Sequence, residues 1–202
     1  MRVLLVVLSV TIASAWFGAL PATAKDAEFA GINGCTKSCH KKDDDGDQKS
    51  LWQKSDHAKA FKTLGTPKAK EAAVKVGFSG NPQEAADCLL CHTTGYGEPA
   101  SRFDKKFDMK DGVQCEACHG AGENYRKKKT MKAIYDERGP DRKGKSKTAM
   151  ETGLITPTEK ECKICHAPER TFNGKTYKNP SYKDFDFDKK FEKIKHPVPK
   201  KS

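Results

Sequence analysis

The sequence predicts a small, mainly α-helical fold with little regular β structure, organised around something other than its own side chains. Three observations predict it: short blocks of helical periodicity, too few apolar residues for an ordinary core, and cysteines in similarly built pairs. Apolar residues make up 36% and charged residues 32% of the 202-residue chain, and the mean hydropathy is −0.79. Such a chain has too little apolar surface to offset the entropy lost on ordering. Either it is disordered or another apolar body fills its interior, and the cysteines decide between the two.

There are eight cysteines and six histidines. The cysteines fall into the pairs Cys35/Cys39, Cys88/Cys91, Cys115/Cys118 and Cys162/Cys165, and each pair is followed directly by a histidine: His40, His92, His119 and His166. The last three read Cys-x-x-Cys-His, the attachment signature of haem c. Two thiols about one helical turn apart can add to the two vinyl groups on one edge of a porphyrin, and the next histidine then reaches the iron. The first motif has one extra residue between its thiols, a departure that a bulge accommodates. Four disulfides in an exported chain would not place a histidine after every second cysteine. Zinc sites do not need that adjacent histidine, and a redox dithiol would be one pair. The cysteines therefore point to four covalently bound haem c groups, with the motif histidines as iron ligands. Porphyrins would supply the missing apolar interior, so the apoprotein is expected to be largely unfolded.

The elements follow in order. Arg2, the apolar run Val3 to Ala19 and the small-residue site Ala22-Thr23-Ala24 read as a signal peptide over residues 1–24, with an uncleaved anchor as the alternative. Residues 25–202 then form a single tetrahaem cytochrome c domain. No later segment is apolar enough to span a bilayer, so the chain is expected in the periplasm, or beyond it. Lys25 to Gly34 is a short lead-in and Lys42 to Asp47 a solvated loop. Leu51, Trp52, His57, Ala58, Ala60, Phe61 and Leu64 give a helical pattern over Ser50 to Leu64, ended by Gly65. Pro67 to Val76 is a second helix, and Pro82 opens a short one into the second motif. Gly95 to Asp111 is loop or short strand. Glu137 to Thr152 lacks periodicity and reads as a surface loop. Pro157 to Lys160 caps a helix into the fourth motif. Phe185, Phe187, Phe191 and Ile194 form the stripe of a last helix or extended arm.

The formal net charge is +11. Ferric haems with ionised propionates offset roughly one positive charge each, so much of the basic excess neutralises the protein's own cofactors. Nucleic acid is not an expected partner, because the basic residues are not interleaved with stacking aromatics. The remaining charge suits docking to an acidic redox protein.

Counting histidines bounds the iron chemistry. Beyond the four motif histidines only His57 and His196 remain, so at most two haems can have two histidine ligands within one chain. The other two are either five-coordinate or bound by methionine, lysine or a partner chain. Met109, Met131 and Met150 are the methionine candidates, Met131 leading. A six-coordinate haem mostly carries electrons, whereas an open one can bind a small molecule.

The chain resembles the tetrahaem cytochrome c-554 family, electron acceptors of hydroxylamine oxidoreductase in ammonia oxidisers, with relatives in metal-reducing bacteria. The resemblance is carried by Cys35 to His40, by Trp52 to Phe61 with His57-Ala58-Lys59-Ala60 inside it, by Asp87 to His92, and by Gly112 to Gly122 with Cys115-Glu116-Ala117-Cys118-His119-Gly120. It implies a mainly helical fold with haems in stacked and perpendicular pairs, a distal role for His57, and an open distal side at the haem of Cys88, Cys91 and His92. A further family distal histidine shortly after the third motif is absent, and Lys127, Lys128, Lys129 and Met131 stand there instead. The expected function is that of a periplasmic electron carrier between a donor dehydrogenase or cytochrome and an acceptor cytochrome or reductase, with no catalytic residue. The alternatives are a haem enzyme reducing NO or a related nitrogen compound at an open haem, and a subunit of an extracellular cytochrome filament.

Overall fold

Turn-rich chain joins ten short helices among the described residues. The structure is a computed structural model that describes residues 26–37, 40–41 and 46–197. The expected signal peptide, Cys39, most of the loop after the first motif and the extreme tail lie outside the described residues. The helices are α1 (Gly31–Thr36), α2 (Gln48–Lys54), α3 (Asp56–Thr63), α4 (Pro67–Lys75), α5 (Ala86–His92), α6 (Glu116–His119), α7 (Lys128–Arg138), α8 (Lys147–Thr152), α9 (Glu159–Lys163) and α10 (Phe187–Ile194). One antiparallel hairpin, β1 (Glu169–Phe172) and β2 (Lys175–Lys178), is the only sheet described. The fold is mainly α, as the sequence predicts.

Local chemistry explains most boundaries. The helix expected over Ser50 to Leu64 is two helices, because Ser55 is extended (φ −74°, ψ 161°) and its hydroxyl caps α3 by accepting from Ala58 N. Thr66 caps α4 in the same way, with Pro67 at the first helical position. Thr158 and Glu161 form a reciprocal capping box on α9. The stretch expected as a surface loop over Glu137 to Thr152 is a correction. It contains the end of α7 and all of α8, whose Ala149 is 3% exposed. No apolar stripe marks α8. Ser146 caps it, and Glu137 accepts from Ser146 Oγ (2.6 Å), Thr148 N (2.9 Å) and Thr148 Oγ1 (2.5 Å).

The side-chain core is scant. Half of the buried apolar positions are alanines, and the clustered ones are Tyr125, Ile134 and Ala149, with Met131 and Leu154 packed against them. Polar contacts tie the rest. The lead-in is a structural part of the fold. Ala27, Ala30 and Ile32 are buried, Phe29 bridges to Phe103, and the Phe29, Phe103 and Phe107 rings pack together. No helix among the described residues is long and apolar enough to cross a membrane.

Candidate haem sites

Each described motif sits on or beside one short helix. In α5, Cys88 and Cys91 stand one turn apart and His92 ends the helix. Cys115 caps α6, which carries Cys118 and ends at His119. Cys162 lies in α9, and the turn continues through Cys165 and His166, whose N–H groups both bond Cys162 O. Cys35 lies in α1, and His40 follows in a turn. None of the seven described cysteines is in a disulfide.

The motif imidazoles are oriented from behind. His92 Nδ1 donates to Ala60 O (2.9 Å), and His119 Nδ1 donates to Ile155 O (3.0 Å). His40 Nδ1 faces Gln48 Oε1 at 3.1 Å. A carbonyl partner fixes the proton on Nδ1 and leaves the Nε2 lone pair for a metal, as in other ligating histidines. Gln48 also donates to Pro197 O (3.3 Å), tying the first motif to the segment that holds His196.

The two non-motif histidines each face a motif histidine. The rings of His57 and His166 are 6.0 Å apart between centroids, and so are those of His119 and His196. Two metal–nitrogen bonds of about 2 Å plus about 1 Å from each nitrogen to its ring centre give about 6 Å. Burial pushes the pKa of His57, His119, His166 and His196 down, which favours the neutral imidazole a metal needs. Phe185 stacks on the His166 ring at 4.7 Å. The residues present therefore fit haem: thiols on helical turns, imidazoles set up as ligands, and little side-chain core.

Among the described residues neither His40 nor His92 enters a ring pair of this kind, although His40 lies near enough to His119 and His196 to lower their pKa. Among the methionines weighed as ligands, Met131 packs against the Tyr125, Ile134 and Ala149 cluster, and Met150 is 69% exposed.

Thiols of different motifs come together. Cys35 shares a hydrogen bond with Cys115, and Cys91 with Cys165. Cys118 lies close enough to Cys162 to feel its charge. The Cys35 thiol is pushed up by its bond to Cys115 and by burial, and burial raises that of Cys118 to about 11. Cys91 is held down at about 6, first by Cys165 and then, against burial, by Arg170.

Several supporting residues escaped the sequence reading. His57 is docked through its backbone: its carbonyl accepts from Val113 N (3.0 Å), while Trp52 Nε1 donates to Val113 O (2.8 Å). Gly112 (φ 81°) makes this approach possible, because a Cβ there would lie 2.7 Å from His57 O. Glu116, 3% exposed, accepts from Ala30 N (2.7 Å), Gly31 N (2.8 Å) and Gly122 N (2.6 Å). Burial raises its pKa against these three donors. Gln114, 1% exposed, accepts from Ile32 N and donates to Asp108 O. Glu116 lies inside the motif that carries the family resemblance, but two of its three partners, Ala30 and Gly31, are far away in sequence.

Cysteine–histidine motifs on short helices, imidazoles opposed at iron-ligand spacing and a small side-chain core fit a multihaem c-type cytochrome, and comparison with known proteins bears out that class. The family model described as "Cytochrome c554 and c-prime" matches residues 35–120. Cytochrome c-554 of Nitrosomonas europaea is 32% identical over 148 residues, which are 71% of this chain and 59% of that protein. The chain thus spans about three fifths of the length of the curated relative it matches. The solved reduced state of cytochrome c554 from Nitrosomonas europaea superposes with a TM-score of 0.59 at 28% identity, over 84% of each chain. The chain is thus similar to the cytochrome c554 family in sequence and fold, and its cofactors are four covalently bound haem c groups.

Proposed function

We propose that the protein carries electrons in the periplasm between a donor dehydrogenase or cytochrome and an acceptor cytochrome or reductase. Each bound haem supplies an iron that takes up and gives up one electron between its ferric and ferrous states. Cys35 and Cys39, Cys88 and Cys91, Cys115 and Cys118, and Cys162 and Cys165 would hold the four groups. His40, His92, His119 and His166 would be the proximal ligands.

One observation carries this reading: the two opposed imidazole pairs at 6.0 Å. His57 opposite His166 and His196 opposite His119 would close both axial positions of two irons and leave no vacancy for a substrate. The thiol neighbours add support, since they link the motifs in the order first, third, fourth, second. Neighbouring attachment points of that kind suit a relay. The surface suits an acidic partner. Beside the first motif a cleft of about 400 Å³ is lined by Lys37, Lys41, Lys49, Lys106 and Arg126, with Asp104 the one acid on it among the described residues.

A second reading rests on His40 and His92, which enter no such imidazole pair among the described residues. A haem bound there with an open side would bind NO or a related small molecule, and the protein would reduce it.

Low-temperature EPR of the oxidised holoprotein, with spins counted per haem, tests both readings. Two low-spin haems with paired histidine ligands and two haems of another kind are expected. Fewer than two such low-spin haems would overturn the ligand pairs. Four low-spin haems would remove the second reading, and catalytic NO consumption by the reduced protein would favour it over the first.

A further inference from the structure

The hairpin after the fourth motif brings a cation to the meeting point of two motifs. Asn173 (φ 48°) and Gly174 (φ 76°) form the two-residue turn that twisted antiparallel strands prefer. Alternation along β1 then sets Arg170 and Phe172 on the less exposed face. Phe172 fills the space at Gly97, where a Cβ would lie 2.5 Å from the ring. Lys175 pairs with Asp87 at the start of α5 (3.4 Å). The hairpin is thereby pinned over the second motif.

Arg170 points into the junction. Its Nη1 donates to Leu90 O and stands 3.9 Å from Cys91 Sγ and 3.6 Å from Cys165 Sγ. Its other close neighbour is the Phe172 ring, 5.9 Å from the guanidinium carbon. Among the described residues no carboxylate forms an ion pair with it. The guanidinium is half-buried, always charged, and surrounded by neutral groups.

Two alternatives are weaker. A partner of haem propionates would sit at the porphyrin edge opposite the vinyl groups, whereas Arg170 sits at the sulfurs that join the vinyl edge. A pure clamp for the hairpin needs no charge, and Lys175 and Phe172 already clamp it.

We propose that Arg170 is a potential-setting residue. Its uncompensated charge, held against Cys91 and Cys165, raises the midpoint potentials of the two haems attached there, so that electrons collect at this junction. The proposal rests on the reading that the second and fourth motifs carry haem. Reduction adds one negative charge, which a nearby fixed cation stabilises more strongly in a half-buried site than in water. An N–H donor to the sulfur acts in the same direction by drawing electron density from the cofactor. Arg170 touches attachment atoms and not iron, so it acts by positioning charge.

Spectroelectrochemical titration of Arg170→Gln and Arg170→Lys holoproteins tests this, with haem content read from intact and peptide masses and spin states from EPR. In Arg170→Gln, two of the four potentials are expected to fall, the ratio of reduced to oxidised haem at fixed potential dropping roughly tenfold, or about 59 mV for one electron. In Arg170→Lys most of that loss is restored, and the other two potentials stay put in both. Unmoved potentials in a fully loaded Arg170→Gln protein would overturn the proposal. So would an equal fall in Arg170→Lys, or haem loss in both variants, which would mark a clamp. An unmodified second or fourth motif in the parent protein would instead overturn the reading beneath it.

Discussion

Cys35 and Cys115 meet beside a buried carboxylate, whereas Cys91 and Cys165 meet beside a half-buried guanidinium. At the first junction Glu116 and Gln114 are almost fully enclosed, and their polar atoms are bonded to backbone groups, those of Ala30, Gly31 and Ile32 far away in sequence. Tyr125 adds a hydroxyl bond to Gly120 O (2.5 Å). The second junction is covered by a hairpin whose ion pair, Lys175 to Asp87, is largely exposed. Similar thiol contacts thus rest on different supports. One is locked by saturated buried hydrogen bonds, so damage there is structural. The other is loosely built around a charge, so charge can be removed there with little loss of stability.

The largest expected effect lies at the first junction. Glu116→Ala strips three buried N–H groups of their acceptor and is expected to cost at least about 3 kcal/mol in chemical denaturation of the holoprotein. Glu116→Gln should recover part of it, because the amide oxygen still accepts. A Glu116→Ala protein as stable as Arg170→Gln would break the contrast. Glu137, at the α7–α8 contact outside both junctions, is a control. The Ser146 and Thr148 hydroxyls, helped by backbone N–H groups, hold its pKa down at about 2. A depressed carboxylate contributes stability above its usual pKa of 4.5 and loses it as pH falls toward 2. Glu137→Gln should therefore have a lower Tm than the parent at pH 7, with most of the difference gone by pH 2, and a difference that stays undiminished at pH 2 would point to packing. The smallest effect is expected from Lys175→Ala. An exposed pair contributes about 0–1 kcal/mol, so a larger loss on denaturation would mean that the hairpin is a stronger support than its exposure implies.

The site was legible in the sequence where it is local. Two thiols and a histidine within one helical turn define each motif without reference to the fold. Thr66 with Pro67 and Thr158 with Glu161 mark helix starts by cap chemistry alone. The histidine count allows at most two facing imidazole pairs but does not say which residues pair, because residue 57 meets residue 166 only in three dimensions. The buried lead-in was illegible for the same reason, since its partners are Gln114 and Glu116. Helix α8 has no apolar period to read, and it forms because Ser146 caps it and Glu137 ties it down. The hairpin does carry a local signal in the sequence: Asn173-Gly174 between Thr171-Phe172 and Lys175-Thr176-Tyr177.

The opposed imidazoles also fix a topology. One pair joins residue 57 to residue 166 and the other joins residue 119 to residue 196. The two spans interleave, so iron bound at both would interlace the chain into linked rings instead of separate or nested loops. An interlaced chain keeps far less freedom when its helices melt, just as cross-links restrict an unfolded polypeptide. Denaturation would then stop at a tethered, compact state until an axial bond lets go. A chain emerging amino end first cannot close the first ring until residue 166 has passed, nor the second until residue 196. The histidine placed latest in the sequence thus decides when the interlacing is complete.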